Sequence, residues 1–264
     1  MTTFLTLFSG SSGNAAWLGT DQGAILIDCG MSGKQTLDAI CHAGLDPADL
    51  TAILISHEHS DHVKGAGILS RKLDIPIYAT EGTWNGMESC VGSIPGHHRV
   101  VIEAGESFFL NEWEIAPFSI PHDALDPVGY RFFGPASVAT ATDLGYFSPT
   151  VQDALCGAEL VLLESNHDPD MLKGNPHYPQ HLKSRILGRK GHLSNASGAE
   201  AAVWLYEHGT KHFLLGHLSS ENNTPDLAYR TNHAALSHAG AEIGRDVTLN
   251  VAGRYQPSHL YTMK

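Results

Sequence analysis

A membrane-spanning run and an excess of positive charge are both missing from this 264-residue sequence. Apolar runs such as those at 52–55 and 160–163 are far shorter than the ~20 residues that a membrane helix needs. The first residues lack the basic stretch of a secretory signal, so we expect a cytoplasmic protein with no membrane partner. Lys and Arg number 16 against 28 Asp and Glu, which gives a net charge of −12. This balance argues against a protein that coats DNA with a basic surface.

Cysteine is scarce as well, with four residues and no Cys-x-x-Cys pair. The sequence therefore predicts neither a zinc ribbon nor a disulfide framework. Apolar residues make up 42% of the chain, enough for a sizeable core, and this excludes a disordered protein. No linker, low-complexity tract or repeat divides the sequence, so we expect residues 1–264 to form one domain.

Short apolar segments, separated by turns rich in glycine and serine, predict strands along most of the sequence. The first three of these strands are expected to pair in an antiparallel way. Helices are predicted at 32–43, at 66–73, at 199–207 and at 225–238. Two β-rich halves with helices outside them favour an α/β (α+β) fold built as a four-layer αββα sandwich.

Histidine is the unusual component, with 17 residues. Several predicted strands are followed, within one to three residues, by a titratable side chain. These side chains are Asp28, His57, His122, Asp143, His167 and His217. Strand ends gather at one edge of a sheet, where loops on a rigid support build functional sites. One histidine at such a place is more often structural, but several together indicate a site.

The run His57-Glu58-His59-Ser60-Asp61-His62 carries the strongest signal. His57 and His59 are two positions apart, so in an extended segment their rings point the same way. Asp61 and His62 follow where the chain turns into a helix, and they can face a second metal ion. Imidazole and carboxylate together suit Zn²⁺, Mn²⁺ or Fe²⁺, whereas Ca²⁺ and Mg²⁺ require more oxygen ligands. Two cations about 3.5–4 Å apart can hold a bridging hydroxide between them.

This run resembles the signature of the metallo-β-lactamase superfamily, whose members are αββα metallohydrolases. Further motifs of that family appear in order along the whole chain. The resemblance implies that a first metal takes His57, His59 and His122, that a second takes Asp61, His62 and His217, and that Asp143 bridges them. It also implies that Asp28 orients the metal-binding loop.

A narrower similarity is to the YycJ/WalJ group of that superfamily. The matching segments are 8–14, 28–32, 79–84, 163–168 and 191–195. The resemblance implies a two-metal phosphodiesterase, a DNA exonuclease acting from a 5′ end, in which the bridging hydroxide attacks phosphorus and Asp61 and Asp143 serve in catalysis. Hydrolysis of a small cyclic phosphodiester, of the phosphoribosyl cyclic phosphate type, or of RNA is the alternative. An inert metal-dependent scaffold is less favoured, because every expected ligand is present.

The separate β-CASP domain of ribonuclease J is not expected, because only 74 positions separate Asp143 from His217. His192 lies in a pattern similar to that of ribonucleases Z and J, where a histidine contacts the scissile phosphate. It would bind phosphate or donate a proton to the leaving oxygen, the alternative being a histidine that only packs at a helix start. The segment 171–192, which leads into this histidine, contains five basic residues and no acidic one, a local charge of +5 that suits a nucleic-acid backbone or simply a solvated helix face.

His167 is interpreted either as a residue at the edge of the active site or as a structural one hydrogen-bonded to Glu164 or Asp168. Three small polar residues near the N-terminus are candidate hydrogen-bond donors at the mouth of the site. They are Ser11, Ser12 and Asn14. Such residues more often only form a turn.

Overall fold

Two seven-stranded mixed sheets lie at the centre of the computed structural model, which describes residues 1–263. In chain order the strands are β1 (Thr2–Phe8), β2 (Ala15–Thr20), β3 (Gly23–Ile27), β4 (Leu50–Leu54), β5 (Ile77–Thr80), β6 (Arg99–Ile102), β7 (Phe108–Leu110), β8 (Trp113–Ser119), β9 (Val128–Phe133), β10 (Ser137–Ala141), β11 (Leu160–Glu164), β12 (His212–Gly216), β13 (Thr248–Val251) and β14 (Tyr261–Met263). The first sheet has the order β14-β1-β2-β3-β4-β5-β6 and the second β13-β12-β11-β10-β9-β8-β7.

Helices cover the outer faces of both sheets. They are α1 (Gly33–His42), α2 (Ser60–Val63), α3 (Ala66–Leu73), α4 (Glu81–Val91), α5 (Pro149–Leu155), α6 (Pro169–Gly174), α7 (Gln180–Ile186), α8 (Asn195–Glu207) and α9 (Pro225–His238). One apolar layer packs α1, α3 and α4 on the first sheet, and a second packs α5, α8 and α9 on the other. A third layer lies between the sheets. The predicted αββα sandwich is therefore confirmed.

Parallel pairing places the ends of several strands together. In the first sheet β3, β4, β5 and β6 run parallel. In the second sheet β10, β11, β12 and β13 also run parallel. The carboxyl ends of each set therefore meet at one sheet edge, where loops can assemble a site on a rigid support.

Local signals explain which helices the sequence predicts well. Pro225 opens α9 and the Thr224 hydroxyl accepts from the backbone N–H of Leu227, so this helix has its predicted bounds. The helix predicted at 199–207 begins earlier, at Asn195, because Ser194 caps it. The four helices α4 to α7 and the last strand were not predicted. Within residues 1–263 no helix has both the length and the apolar character needed to cross a bilayer.

Candidate metal centre

The strand-end residues that the sequence singles out converge at one edge of the sandwich. Asp28 follows β3, and the histidine run begins three residues after β4. Asp143 lies two residues beyond β10, and His217 comes directly after β12. The predicted convergence is found, although the role of each side chain as a metal ligand stays a prediction.

Three histidines form the first cluster. His57 Nε2 lies 3.1 Å from His59 Nδ1, and His122 Nε2 lies 3.3 Å from the same His59 atom. Burial lowers the pKa of His57 well below its ordinary value, and the neighbouring His62 lowers it further. Burial also lowers the pKa of His122. Neutral imidazoles whose nitrogens face one another offer lone pairs to a cation at their centre.

The second cluster combines a carboxylate with two imidazoles. Asp61 Oδ2 is 3.7 Å from His62 Nε2 and 3.7 Å from His217 Nε2. Burial favours the neutral form of His62, but the carboxylates of Asp28, Asp143 and Asp61 outweigh it and raise its pKa to about 9. Burial likewise raises the pKa of Asp61, yet His62 and His217 overcome this and hold it well below the usual range. Without metal, protons therefore supply the positive charge here.

Asp143 lies between the two clusters. Its Oδ2 is 3.4 Å from His62 Nε2, and its Oδ1 is 3.8 Å from His122 Nε2. Asp143 Oδ2 and His217 Nε2 are both buried, and neither has a hydrogen-bond partner in the described part of the chain. Buried polar atoms are almost always partnered. Two unpartnered atoms of this kind, an oxygen and a ring nitrogen that can both ligate a metal, lie beside converging imidazoles and therefore fit a centre that binds divalent cations.

Asp28 holds the second cluster in place from behind. One of its oxygens accepts from His62 Nδ1 at 2.8 Å, and the other accepts from the backbone N–H of Ser56 at 2.8 Å. The bond to Nδ1 leaves His62 Nε2 facing the cluster, as a carboxylate behind a metal-ligating histidine does. Asn14 Nδ2 lies 3.0 Å from His62 Nε2, so the loop before β2 also reaches this atom.

The backbone is strained at three of these positions. Asp28, Asp143 and His217 have φ angles of 60°, 60° and 55°, in the left-handed region that non-glycine residues seldom adopt. Each of them directly follows a strand or lies two residues beyond one. The left-handed turn redirects the chain so that an acidic or imidazole side chain points to the centre.

Glu164, at the end of β11, was expected only as a hydrogen-bond partner of His167, yet it lies among the site residues. Its buried carboxylate accepts from His192 Nδ1 at 2.8 Å and from His217 Nδ1 at 2.9 Å. Backbone N–H groups of Leu144 and Leu193 also donate to it, at 2.7 and 3.0 Å. The signal was available, because Glu164 directly follows the apolar run 160–163, as the other site residues follow theirs.

Glu164 fixes the orientation of two imidazoles at once. Burial acts to raise the pKa of Glu164, but His192 and His217 hold it well below the usual range. Burial acts to lower the pKa of His192, but Glu164 and Asp143 raise it overall. His192 Nδ1 is engaged with Glu164, so its Nε2 is the nitrogen left free for another partner.

The remaining predicted residues have different surroundings. His167 is buried, and burial lowers its pKa to about 4. Neither ring nitrogen has a hydrogen-bond partner in residues 1–263, so the bond to Glu164 or Asp168 that the second of the two interpretations requires is not formed. Ser11 lies on an exposed turn, and the Ser12 hydroxyl is 3.2 Å from the Tyr255 hydroxyl.

The basic segment lies beside the centre on α6, α7 and the turn into His192. Arg185 on α7 forms an ion pair with Asp123, which is adjacent to His122 in the sequence. The guanidinium of Arg189 lies 4.2 Å above the Tyr146 ring. The backbone of Arg189 also packs closely against Gly145, since a Cβ at Gly145 would lie 2.1 Å from the Arg189 carbonyl oxygen. Positive charge is thus fixed next to one wall of the centre.

The sequence and structure match known proteins over most of their length. A family model described as a beta-lactamase superfamily domain matches residues 24–218. Exodeoxyribonuclease YycJ of Bacillus anthracis is 40% identical over 242 residues, which are 91% of this chain and 91% of that protein. Exodeoxyribonuclease WalJ of Streptococcus pneumoniae is 40% identical over 243 residues, 91% of this chain and 90% of that protein.

A solved structure with a similar fold is the Zn²⁺-bound PqqB of Methylobacterium extorquens. Its TM-score to this chain is 0.75, and the match covers 99% of this chain and 100% of that one. The sequence identity is only 15%, so this similarity concerns the fold alone.

Proposed function

This chain belongs to the metallo-β-lactamase superfamily of hydrolases, and on that premise we propose that it is a metal-dependent deoxyribonuclease that removes nucleotides from a 5′ end. The DNA substrate is proposed from the names of the two relatives that are 40% identical over nine-tenths of the chain. The 5′ polarity follows from the group resemblance in the sequence.

One observation supports phosphodiester hydrolysis most directly. Two donor clusters share Asp143, and His192 lies on the same side, with its Nδ1 3.7 Å from Asp143 Oδ1. A histidine held this close to the two clusters can donate a proton from its other nitrogen, Nε2, to the leaving oxygen of a displacement at phosphorus.

We assign the first site to His57, His59 and His122 and the second to Asp61, His62 and His217, with Asp143 bridging. Zn²⁺ or Mn²⁺ suits these ligands, and Fe²⁺ has the same preferences. Two such cations, when bound, supply Lewis-acid neutralisation of the phosphate charge and a water acidic enough to act as a nucleophile at neutral pH.

The protein's own groups manage the proton on the leaving oxygen. The Glu164 carboxylate favours the protonated form of His192 and holds it through Nδ1. The free Nε2–H then donates its proton to the leaving oxygen. Glu164 keeps the ring in place through Nδ1–H and favours its return to the protonated form. Asp28 keeps His62 oriented in the same way on the opposite side of the centre.

The basic segment supports a polyanionic substrate in a protein whose net charge is −12. Its charges lie on α6, on α7 and in the turn that leads directly into His192. Phosphates that lie along this wall of the centre therefore meet positive charge in a protein that is acidic overall.

The test is digestion of 5′- and 3′-labelled single- and double-stranded DNA, and of matching RNA, by metal-stripped protein with Mn²⁺ or Zn²⁺ restored. We expect metal-dependent shortening of DNA from the 5′ end. The Asp61→Ala/His62→Ala variant should lose one bound metal and at least a hundredfold in rate. Polymers that stay intact while bis(4-nitrophenyl) phosphate or a cyclic phosphodiester is hydrolysed would contradict the nuclease proposal. Unchanged activity in the double variant would refute the ligand assignment.

A further inference from the structure

The segment 253–257 forms part of the rim of the metal centre. It follows β13, whose carboxyl end lies at the same sheet edge as His217. The Gly253 carbonyl accepts from the backbone N–H of Ser9 at 3.1 Å, and the Arg254 guanidinium donates to the Leu218 carbonyl. These bonds join the segment to the loops that carry His217 and Asn14.

Arg254 brings a positive charge to this rim that no acidic group neutralises. No carboxylate of residues 1–263 forms an ion pair with its guanidinium, whose Nη2 donates to Leu218. Its Nη1 is buried against Gly10 and has no hydrogen-bond partner among these residues, so the charge acts on this rim over a distance rather than through a free N–H. Gly10 makes room for this group, because a Cβ at that position would be 2.7 Å from Nη1. The loop therefore leaves space for the Arg254 guanidinium beside Leu218.

Tyr255 presents an aromatic ring next to this cation. Its side chain is 64% exposed, although its hydroxyl lies 3.2 Å from the Ser12 hydroxyl and is held there. Beside the ring is an open groove of about 330 Å³, whose lining includes Phe8, Gln35, Gln256 and Pro257. Asp38 and His42 also line it, so the groove itself does not suit a phosphate. Its apolar surface and amide groups instead suit a flat, polar-edged ring.

We propose that Tyr255 and Arg254 form a nucleotide subsite for one strand of the DNA, in which the Tyr255 ring stacks on a base and Arg254 attracts the adjoining phosphate. The inference rests on the proposed nuclease function and names where the strand is held on the His217 side of the centre. Stacking on an aromatic ring beside a backbone-tracking cation is how proteins bind single strands without reading their sequence. The groove next to the ring then accommodates the edge of the stacked base.

The two positively charged walls define a path for the strand. Arg254 lies beside the loop of His217, whereas α7 and the turn at Arg189 lie beside His122 and His192. A strand that crosses the metal centre therefore meets positive charge on both sides, and on the Tyr255 side it also meets an aromatic ring that is 64% exposed next to a groove.

The experiment measures kcat/KM on single-stranded oligonucleotides that carry one abasic site at successive positions from the labelled end. The wild-type protein should show a drop of about tenfold at one position, where the stacked base is lost. In Tyr255→Ala the intact oligonucleotide should be cut about tenfold more slowly, relative to bis(4-nitrophenyl) phosphate, and the positional drop should vanish. Tyr255→Phe should keep both within about twofold, because stacking needs the ring alone. Phe109→Ala, which removes a ring that is 79% exposed on β7, is the matched control.

A positional drop that persists in Tyr255→Ala would overturn the subsite while leaving the nuclease proposal intact. If the wild-type protein cuts only the small phosphodiester, the proposed function fails and the subsite fails with it. For Arg254→Gln, the slope of log binding constant against log salt should fall by about 0.7, the value for one phosphate contact on a single strand. An unchanged slope would remove Arg254 from the subsite.

Discussion

Replacing Glu164 by glutamine should damage both stability and catalysis, because four donors converge on this buried carboxylate. Glutamine keeps the shape and one accepting oxygen, but its amide group then faces two of those donors. Each buried donor that loses its partner costs about 1–3 kcal/mol, and more when it is charged. We expect the free energy of unfolding to fall by about 3–5 kcal/mol, as when one member of a buried ion pair is removed.

The catalytic effect follows from the link between Glu164 and His192. The carboxylate raises the pKa of His192, so the imidazolium persists to higher pH. In Glu164→Gln this support is lost, and the alkaline limb of the kcat profile should move to lower pH. A general acid contributes about 10²–10⁴-fold to rate, so we expect kcat at pH 8 to fall at least a hundredfold.

The assay combines urea unfolding with kcat on single-stranded DNA between pH 6 and pH 9. Glu159→Gln, just before the other end of β11, removes the same charge without touching the centre and should resemble the wild type. A Glu164→Gln enzyme with wild-type kcat and an unchanged pH profile would refute the role assigned here. A lower kcat with an unmoved alkaline limb would reduce Glu164 to a structural residue.

Three further predictions test the frame of the centre. Gly30→Ala should weaken metal binding at least tenfold, measured by isothermal titration calorimetry, because a Cβ at this position would lie 1.7 Å from the Asp61 carbonyl oxygen. A Cβ at Gly96 would have no atom within 4 Å, so Gly96→Ala is the control and should bind metal as the wild type does. Metal-stripped protein should lose stability between pH 6.5 and pH 9, because the pKa of His62 is raised to about 9 and the stability that its proton contributes is lost as the proton leaves. Metal-loaded protein should instead hold or gain stability over that range, since metals compete with protons for the same side chains. Thermal melts in both states check this. Lys190→Ala should reduce the salt slope of single-strand binding by about 0.7, because we expect this exposed lysine to contact a phosphate, and an unchanged slope would place it outside the interface.

The sequence predicted that these acidic and histidine side chains converge because the information for it is local. A run with histidines at alternate positions ends one strand, and further acids and histidines end others, so parallel pairing alone brings them together. A search for histidines finds His167, three residues beyond β11, whereas the residue that contacts the centre there is Glu164, the last residue of the strand. An acid directly after an apolar run looks like an ordinary strand end until the residues facing it are known.

The elements that were not predicted depend on distant partners. Helix α4 contains two glycines, which weaken helix propensity, and burial of Trp84 and Met87 stabilises it instead. Strand β14 has three residues and exists because Met263 pairs with Thr2 at the far end of the chain. Neither kind of contact leaves a periodic pattern in the local sequence.

The left-handed backbone at the centre explains why these strand ends need their surroundings. A non-glycine residue in this region costs about 1–2 kcal/mol, and aspartate tolerates it better than most residues do. Asp28 offsets the strain with its bonds to Ser56 and His62. Histidine is also among the residues found more often in this region, and the position of His217 is held further by the Ser9 hydroxyl, which accepts its backbone N–H at 2.8 Å, and by Glu164 at Nδ1. Because Ser9 also donates its N–H to the Gly253 carbonyl, the same loop stabilises the end of β12 that carries His217 and the segment that carries Arg254.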